Sequence, residues 1–438
     1  SPDLLYVLKG YAGTGKTTIV GAIVNNLWKA KKSAVLLAPT GRAAKVMSTY
    51  SKTEAFTIHK KIYMPKQNKN GGVDFVMQIN KHKKTIFIVD EASMISDLPS
   101  QSKVFGSGSL LDDLMKYVYS GYQCKLLLIG DTAQLPPVKL DLSPALNENQ
   151  LALTYNKEVI KMELDEVMRQ GQDSGILMNA TLLRETLLSS SFDSFKFDLR
   201  GYKDIVRLID GYEIMDAIND AYSTLGNEET AIIVRSNKRA NLYNQQIRSR
   251  VLFNDHELTS GDYLMVVRNN YFWLKPTSEA GFIANGDIIE VLEIFSIKEL
   301  YGFRFAEVKV RMVDYPKMIP FETVLILDSI SVEAPALPYE DSNRLYQEIS
   351  KDFEDEPSGY KKFMKVKQSK HLNALQVKFS YAITCHKSQG GQWNTVFVEQ
   401  PYLPKGIDRD YLRWLYTAVT RAKEKLYLIG FRDDFFYE

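Results

Sequence analysis

The sequence predicts an α/β protein with two parallel sheets, a β-hairpin inserted into the first domain and a small β-barrel inserted into the second. Three observations predict it. Short apolar runs alternate with helical patterns through the first third of the chain, as in parallel strands covered on both faces. The alternation resumes near Thr230 and again from Gln376. Between these points, residues 262–328 are rich in β-branched and aromatic residues at strand spacing.

Taken in order, residues 4–8 read as a strand, 17–28 as a helix, 33–37 as a second strand, and 42–47 open another helix. Residues 86–89 and 126–129 are further buried strands. Residues 60–84 break the rhythm. They hold Asn70-Gly71-Gly72, a hairpin turn signal between two moderately β-prone arms. They also carry seven lysines against one acid, Asp74. Such a strip can follow phosphates, or it can be a solvated loop, which is the simpler reading of composition alone.

The second α/β pattern begins with a strand at 231–234 and a helix at 241–251. Turns at Asn285-Gly286-Asp287 and near Tyr301-Gly302 punctuate the barrel segment. Residues 340–370 are polar and helical in pattern, an acidic run (352–356) preceding a basic one (361–370), and their default reading is a solvated arm. Strands at 377–383, 395–398 and 426–429, with a helix at 413–422, restore the α/β pattern. The expected domains are 1–165, then 166–260 together with 371–438, with 261–370 as the insert.

Composition sets bounds. The 438 residues exceed one ordinary core, and 45% hydrophobic with 25% charged content is that of a globular protein. No stretch of about 18 apolar residues suits a membrane span, and no secretory leader is expected. Cys124 and Cys385 lie far apart without metal spacing, which fits a reduced, cytoplasmic protein. The net charge of +2 neither supports nor excludes a nucleic-acid partner.

The chemistry begins at Gly10-Tyr-Ala-Gly-Thr-Gly15-Lys16-Thr17, which fits G-x4-G-K-[ST] between a strand and a helix. Such a loop holds a nucleoside triphosphate on the backbone of Gly10, Ala12, Gly13, Thr14, Gly15, Lys16, Thr17 and Thr18. The helix that follows points its positive end at the same anion. Lys16 supplies charge to the β and γ phosphates, and the Thr17 hydroxyl ligates Mg²⁺. Asp90 and Glu91 close an apolar strand. Asp90 would hold Mg²⁺ through its water shell, and Glu91 would polarise the attacking water. Gln134, after a third strand, can touch both γ-phosphate and water. Positive charge for the transition state is still required, and Arg169 and Arg421 are the candidates.

At this point a family resemblance emerges. Ala38-Pro39-Thr40-Gly41-Arg42-Ala43-Ala44-Lys45, Thr57-Ile58-His59, Asp90-Glu91-Ala92-Ser93-Met94 and the run from Gly130-Asp131 to Val138 resemble the ordered motifs of superfamily-1B helicases. The runs Leu164 to Gln170, Tyr381 to Gly390 and Tyr416 to Ala422 continue the set. RecD-like, Dda-like and Pif-like enzymes are the members it resembles most.

The resemblance implies two RecA-like domains with ATP between them, and Arg169 and Arg421 reaching the nucleotide from across the cleft. It implies a single DNA strand held by Pro39, Thr40 and His59 on the first domain and by Thr384, His386 and Lys387 on the second. It further implies that the barrel is SH3-like, that the 60–84 hairpin wedges or pins DNA at a single-strand/duplex junction, and that movement runs 5′ to 3′. A monomer working with replication, repair or recombination proteins is the expected state, with no membrane. Family members read adenine with a glutamine ahead of the phosphate loop, and residues 1–9 hold none. Two rivals remain: an RNA helicase of the same superfamily, and an ATP-switched strand-binding subunit of a repair or exonuclease complex. The sequence holds no nuclease metal cluster, so a nuclease would be a partner.

Overall fold

The computed structural model describes residues 4–67, 73–98, 105–167, 173–189 and 191–437. They form two compact units: Ser1–Met64, Phe75–Val234 and Cys385–Glu438 in one, Pro65–Asp74 and Arg235–Thr384 in the other.

The first unit opens with β1 (Leu4–Gly10), α1 (Lys16–Asn26), β2 (Ser33–Ala38), α2 (Gly41–Ser51), β3 (Ala55–Thr57) and α3 (Ile58–Ile62). The hairpin β4 (Tyr63–Gln67) and β5 (Val73–Met77) follows; its predicted Asn70-Gly71-Gly72 turn lies outside the described residues. Next come β6 (Thr85–Val89), α4 (Leu110–Ser120), β7 (Lys125–Gly130), α5 (Glu148–Tyr155) and β8 (Glu158–Leu164). The sheet order is β3-β2-β6-β7-β1-β8, and β1 pairs parallel with β7 and β8. Leu8, Val20, Leu36, Met47, Ile88 and Ile129 pack as one buried cluster between sheet and helices. Each is apolar because the parallel strands are covered on both faces. The order puts β6, β7 and β1 side by side, so three loops distant in sequence leave the sheet at the same edge. Ligands of open α/β sheets bind at that carboxyl edge.

A second sheet begins after α6 (Gly175–Leu188), with β9 (Ile205–Leu208), α7 (Gly211–Leu225) and β10 (Thr230–Val234). The α/β pattern therefore restarts at Ile205, ahead of the residue-230 expectation. β9 escapes a reading by hydrophobicity because it is four residues long and centred on Arg207. The Arg207 guanidinium donates to the Phe431 carbonyl at 2.7 and 3.1 Å and pairs with Asp433 at 2.7 Å.

The second unit starts with α8 (Asn237–Arg250) and contains a closed barrel. Its first four strands are β11 (Tyr263–Val266), β12 (Ile288–Leu300), β13 (Phe303–Met312) and β14 (Phe321–Ile326). Tyr301 and Gly302, both at positive φ (57° and 72°), make the tight turn from β12 to β13, whose twist suits a two-residue hairpin. α9 (Asp328–Ser331), α10 (Tyr339–Lys351) and α11 (Gly359–Lys367) precede β15 (Leu375–Phe379) and β16 (Ala382–Thr384).

Two expectations change here. The single strand expected at 377–383 is two strands, and β15 closes the barrel between β11 and β14. The break is held by Tyr381, whose hydroxyl donates to Asp262 Oδ1 at 2.9 Å and accepts from the Tyr263 amide at 3.1 Å. Asp262 is also gripped by Arg248 through two hydrogen bonds of 2.9 and 3.0 Å. The arm expected to be solvated is instead packed. Leu345, Ile349 and Val366 are buried with Phe303, Phe305, Val324 and Ile326 of the barrel. Leu345 and Ile349 lie one helical turn apart in an otherwise polar helix, which gives α10 a narrow apolar stripe to bury.

The chain returns to the first unit with α12 (Cys385–Ser388), β17 (Trp393–Glu399), α13 (Arg409–Val419) and β18 (Ala422–Ile429). Within that unit the second sheet runs β10-β17-β18-β9, all parallel. α13 is buried almost throughout. Among the described residues no helix is long and apolar enough to cross a membrane.

Candidate active site

The phosphate loop leaves β1 at Gly10 and enters α1 at Lys16. Gly13 and Gly15 adopt φ of 75° and 87°, a conformation open to glycine at little cost. A Cβ on Gly10 would lie 2.8 Å from Lys16 Cγ, so the lysine stem and the loop pack without room for a side chain. Lys16 Nζ donates to the carbonyls of Gly10 (2.6 Å) and Tyr11 (2.9 Å), folding over its own loop. The Thr14 hydroxyl donates to the Tyr11 carbonyl at 2.8 Å. Thr17 and Thr18 are exposed in the first turn of α1.

Asp90 and Glu91 follow β6. The Asp90 amide donates to the Leu37 carbonyl at 3.0 Å. Asp90 Oδ2 accepts from the Tyr50 hydroxyl at 2.6 Å and Oδ1 from the Glu91 amide at 2.8 Å. Glu91 has φ of 54°, a left-handed backbone rare for a side-chain-bearing residue and frequent at functional sites. Its carboxyl is pushed up to about 7, first by burial and then by the charge of Asp90, while Arg421 and Lys16 pull it down. The charges of Asp90, Arg421 and Lys16 therefore all act on the Glu91 carboxyl although the four positions span the chain. The donors expected for Mg²⁺, one hydroxyl (Thr17) and one carboxylate (Asp90), suit an ion that keeps water and phosphate oxygens as its other ligands. No denser group of three or more metal-ligating side chains occurs among the described residues.

Gln134 is 6% exposed, and its Oε1 makes no hydrogen bond among the described residues. A buried polar atom left so carries an energetic penalty of about 1–3 kcal/mol, which a ligand or water at this sheet edge would relieve. The next residue is held at both backbone atoms. The Leu135 amide donates to Thr417 Oγ1 at 2.8 Å, and its carbonyl accepts from Gln389 Nε2 at 2.7 Å. Arg421, 2% exposed, donates to the carbonyls of Thr417 (3.0 Å) and Gly391 (3.1 Å) and to Thr420 Oγ1 (3.2 Å). Arg169 lies outside the described residues.

The residues expected to hold a strand are distributed as follows. Pro39 and Thr40 follow β2, and Thr40 caps α2 by accepting from the Ala43 amide at 3.2 Å. A Cβ on Gly390, at φ 75°, would lie 3.0 Å from Ala43 Cβ and 3.3 Å from Thr40 Oγ1, so the loop after α12 comes against the start of α2. His386 on α12 is exposed, and burial pushes the Lys387 ammonium down to about 8. His59 stacks edge-on with Phe105 at 4.8 Å and tilts against Tyr63 at 5.8 Å. Burial lowers its imidazole to about 4, so at neutral pH it is uncharged. Thr384 ends β16 in the second unit.

Four residues near the site were not singled out in advance: Tyr50, Gln389, Tyr416 and Thr417. Tyr50 looks like helix core, three residues after Met47. Gln389, Tyr416 and Thr417 sit inside recognised motifs but carry no charge to mark them.

Residues 1–196 match a family described as AAA domain, and residues 379–429 match the UvrD-like helicase C-terminal domain. The chain is 24% identical over 451 residues to the ATP-dependent DNA helicase dda of Enterobacteria phage T4, covering 96% of this chain and 93% of that protein. Over 177 residues it is 31% identical to the ATP-dependent RecD2 DNA helicase of Deinococcus radiodurans, covering 40% of this chain and 21% of that one. Among solved structures it is similar to Pif1 helicase from Bacteroides in complex with ADP-AlF3 and ssDNA, with a TM-score of 0.47, 13% identity, and coverage of 100% of this chain and 91% of that one.

Proposed function

We propose that the chain is a superfamily-1B helicase that hydrolyses ATP, moves 5′ to 3′ along single-stranded DNA and unwinds duplex ahead of it. The observation that carries the reading is that Arg421 is held through Thr417 against the loop of Gln134, while Glu91, on a left-handed backbone, has its carboxyl within reach of the charges of Asp90, Arg421 and Lys16. A protein that merely changes affinity on binding ATP does not require both a base and a transition-state cation. Lys16 neutralises the β and γ phosphates. Glu91 accepts the proton of the attacking water, and Gln134 orients that water. Arg421, with Arg169 as its expected companion, meets the charge that spreads over the transferring phosphoryl group. Thr17 and Asp90 would hold Mg²⁺, which would supply further charge neutralisation at the nucleotide.

Pro39, Thr40, His59, Thr384, His386 and Lys387 hold the strand backbone in this reading. Hydroxyls, a neutral imidazole and a weakly basic lysine suit a grip that must be released and remade. Contacts of this kind position a strand without reading its sequence. The 60–84 hairpin acts at the junction of single strand and duplex. The protein works as a monomer inside the cell, alongside replication or repair proteins.

ATP turnover without nucleic acid, with single-stranded DNA and with single-stranded RNA of the same sequence tests the substrate. Stimulation by DNA well above that by RNA is expected. Equal or greater stimulation by RNA would move the enzyme to RNA, and no stimulation by either would remove the strand from the cycle.

A further inference from the structure

We propose that Tyr416 is a positioning residue that ties the helix leading into Arg421 to the phosphate loop, so that the arginine is set only when the loop is. The inference rests on the reading of Arg421 given above and deepens it. Tyr416 lies in the last turn of α13 and is 1% exposed. Its hydroxyl accepts from the Ala12 amide at 2.9 Å and donates to Asp131 Oδ2 at 2.6 Å. Ala12 lies inside the phosphate loop, two residues after Gly10. Asp131 follows β7 and also accepts from the Ala133 amide at 2.9 Å, inside the loop that carries Gln134. One phenol therefore joins two of the loops that leave the first sheet at its nucleotide edge.

The connection continues to the arginine. Thr417, the next residue, accepts from Arg421 Nε on its carbonyl and from the Leu135 amide on its hydroxyl. The path runs from the Ala12 amide through Tyr416 and Thr417 to the Arg421 guanidinium with no break. Every link is a hydrogen bond of 2.6–3.0 Å or a covalent step within the last turn of α13. A buried hydroxyl bonded to a carboxylate is held strongly and directionally. A loop that closes around phosphates shifts the Ala12 amide, and Tyr416 must follow it or lose its donor. The geometry therefore couples loop closure to arginine placement. A phenylalanine at 416 would fill the same space and break that coupling.

An arginine that acts on the transition state alters kcat rather than ground-state binding. The test is strand-stimulated ATP turnover by the full chain as wild type, Tyr416→Phe, Arg421→Ala and the double variant, with binding of a fluorescent ATP analogue measured for each. The expected result for Tyr416→Phe is a loss in kcat of about tenfold. KM and analogue affinity should stay within about twofold of wild type. Because the tyrosine acts through the arginine, the double variant should be no slower than Arg421→Ala alone. Equal loss on both backgrounds, or a rise in KM with kcat unchanged, would overturn the proposal. Should the phenylalanine variant fail to fold, Asp131→Asn keeps the aromatic packing, leaves Oδ1 to accept from the Ala133 amide and weakens the charge-assisted bond to the phenol. Because it also removes a charge acting on the Glu91 carboxyl, the same comparison is made well above pH 7, where that carboxyl is ionised in every variant. Wild-type turnover in Arg421→Ala would instead sink the reading of the arginine itself.

Discussion

Glu91→Gln is expected to lower steady-state ATP turnover by about 10²–10⁴-fold while leaving ATP bound. The glutamine keeps the size and hydrogen-bonding shape of the side chain but cannot accept the proton of the attacking water. Wild-type turnover should also carry the mark of this residue in its pH dependence. The carboxyl titrates at about 7 because burial and the neighbouring charge of Asp90 oppose ionisation more than Arg421 and Lys16 favour it. Below that value the group is protonated and inactive as a base, so kcat/KM for ATP should fall about tenfold per pH unit on the acid side and level off above it. The linkage to stability has the opposite sense. The folded state holds this proton to higher pH than the unfolded chain does, so charging Glu91 removes stability as pH rises from the ordinary carboxylate range to about 7. Glu91→Gln should therefore melt no lower than wild type above pH 7. A variant with normal turnover, or a wild-type rate that ignores pH between 6 and 8, would take Glu91 out of the base role.

Lys16→Ala carries the second large effect. The charge of Lys16 is among those acting on Glu91, and the side chain lies directly on the loop carbonyls. Its removal should depress hydrolysis by at least about 10²-fold, the scale of losing one electrostatic contact to a phosphoryl transition state. Binding of single-stranded DNA without nucleotide should be retained, because the residues proposed to hold the strand lie elsewhere. Fluorescence anisotropy with a labelled oligonucleotide, beside a phosphate-release assay, separates the two. Near-normal turnover would remove the loop from the reaction.

The parts of the fold legible in the sequence are those whose physics is local. The phosphate loop announces itself through glycines required by positive φ at Gly13 and Gly15. β1, β2, β6 and β7 are apolar because both faces are covered. Tyr301-Gly302 marks a turn because the backbone there needs two positive φ values. What escaped depends on tertiary partners. β9 hides behind Arg207, whose charge is met by Phe431 and Asp433 far along the chain. β15 looks like the start of a parallel strand, and only its pairing with β11 and β14 assigns it to the barrel. The site follows the same rule. Charged candidates such as Lys16, Glu91 and Arg421 stand out because phosphoryl transfer calls for charge at the reacting group. Tyr50 acts through one hydrogen bond and Tyr416 through two, one of them from an amide 404 positions away, and no local pattern marks a tyrosine for that duty.

The central claim, an ATP-driven motor on DNA with a fixed direction, is tested most directly with two duplexes of one sequence, one with a 5′ single-stranded tail and one with a 3′ tail. Each is mixed with the protein, ATP and Mg²⁺, and strand separation is followed. The account predicts ATP-dependent unwinding from the 5′ tail alone. Unwinding from the 3′ tail alone would contradict the direction, and failure on both tails, with strand-stimulated hydrolysis intact, would contradict the helicase activity itself.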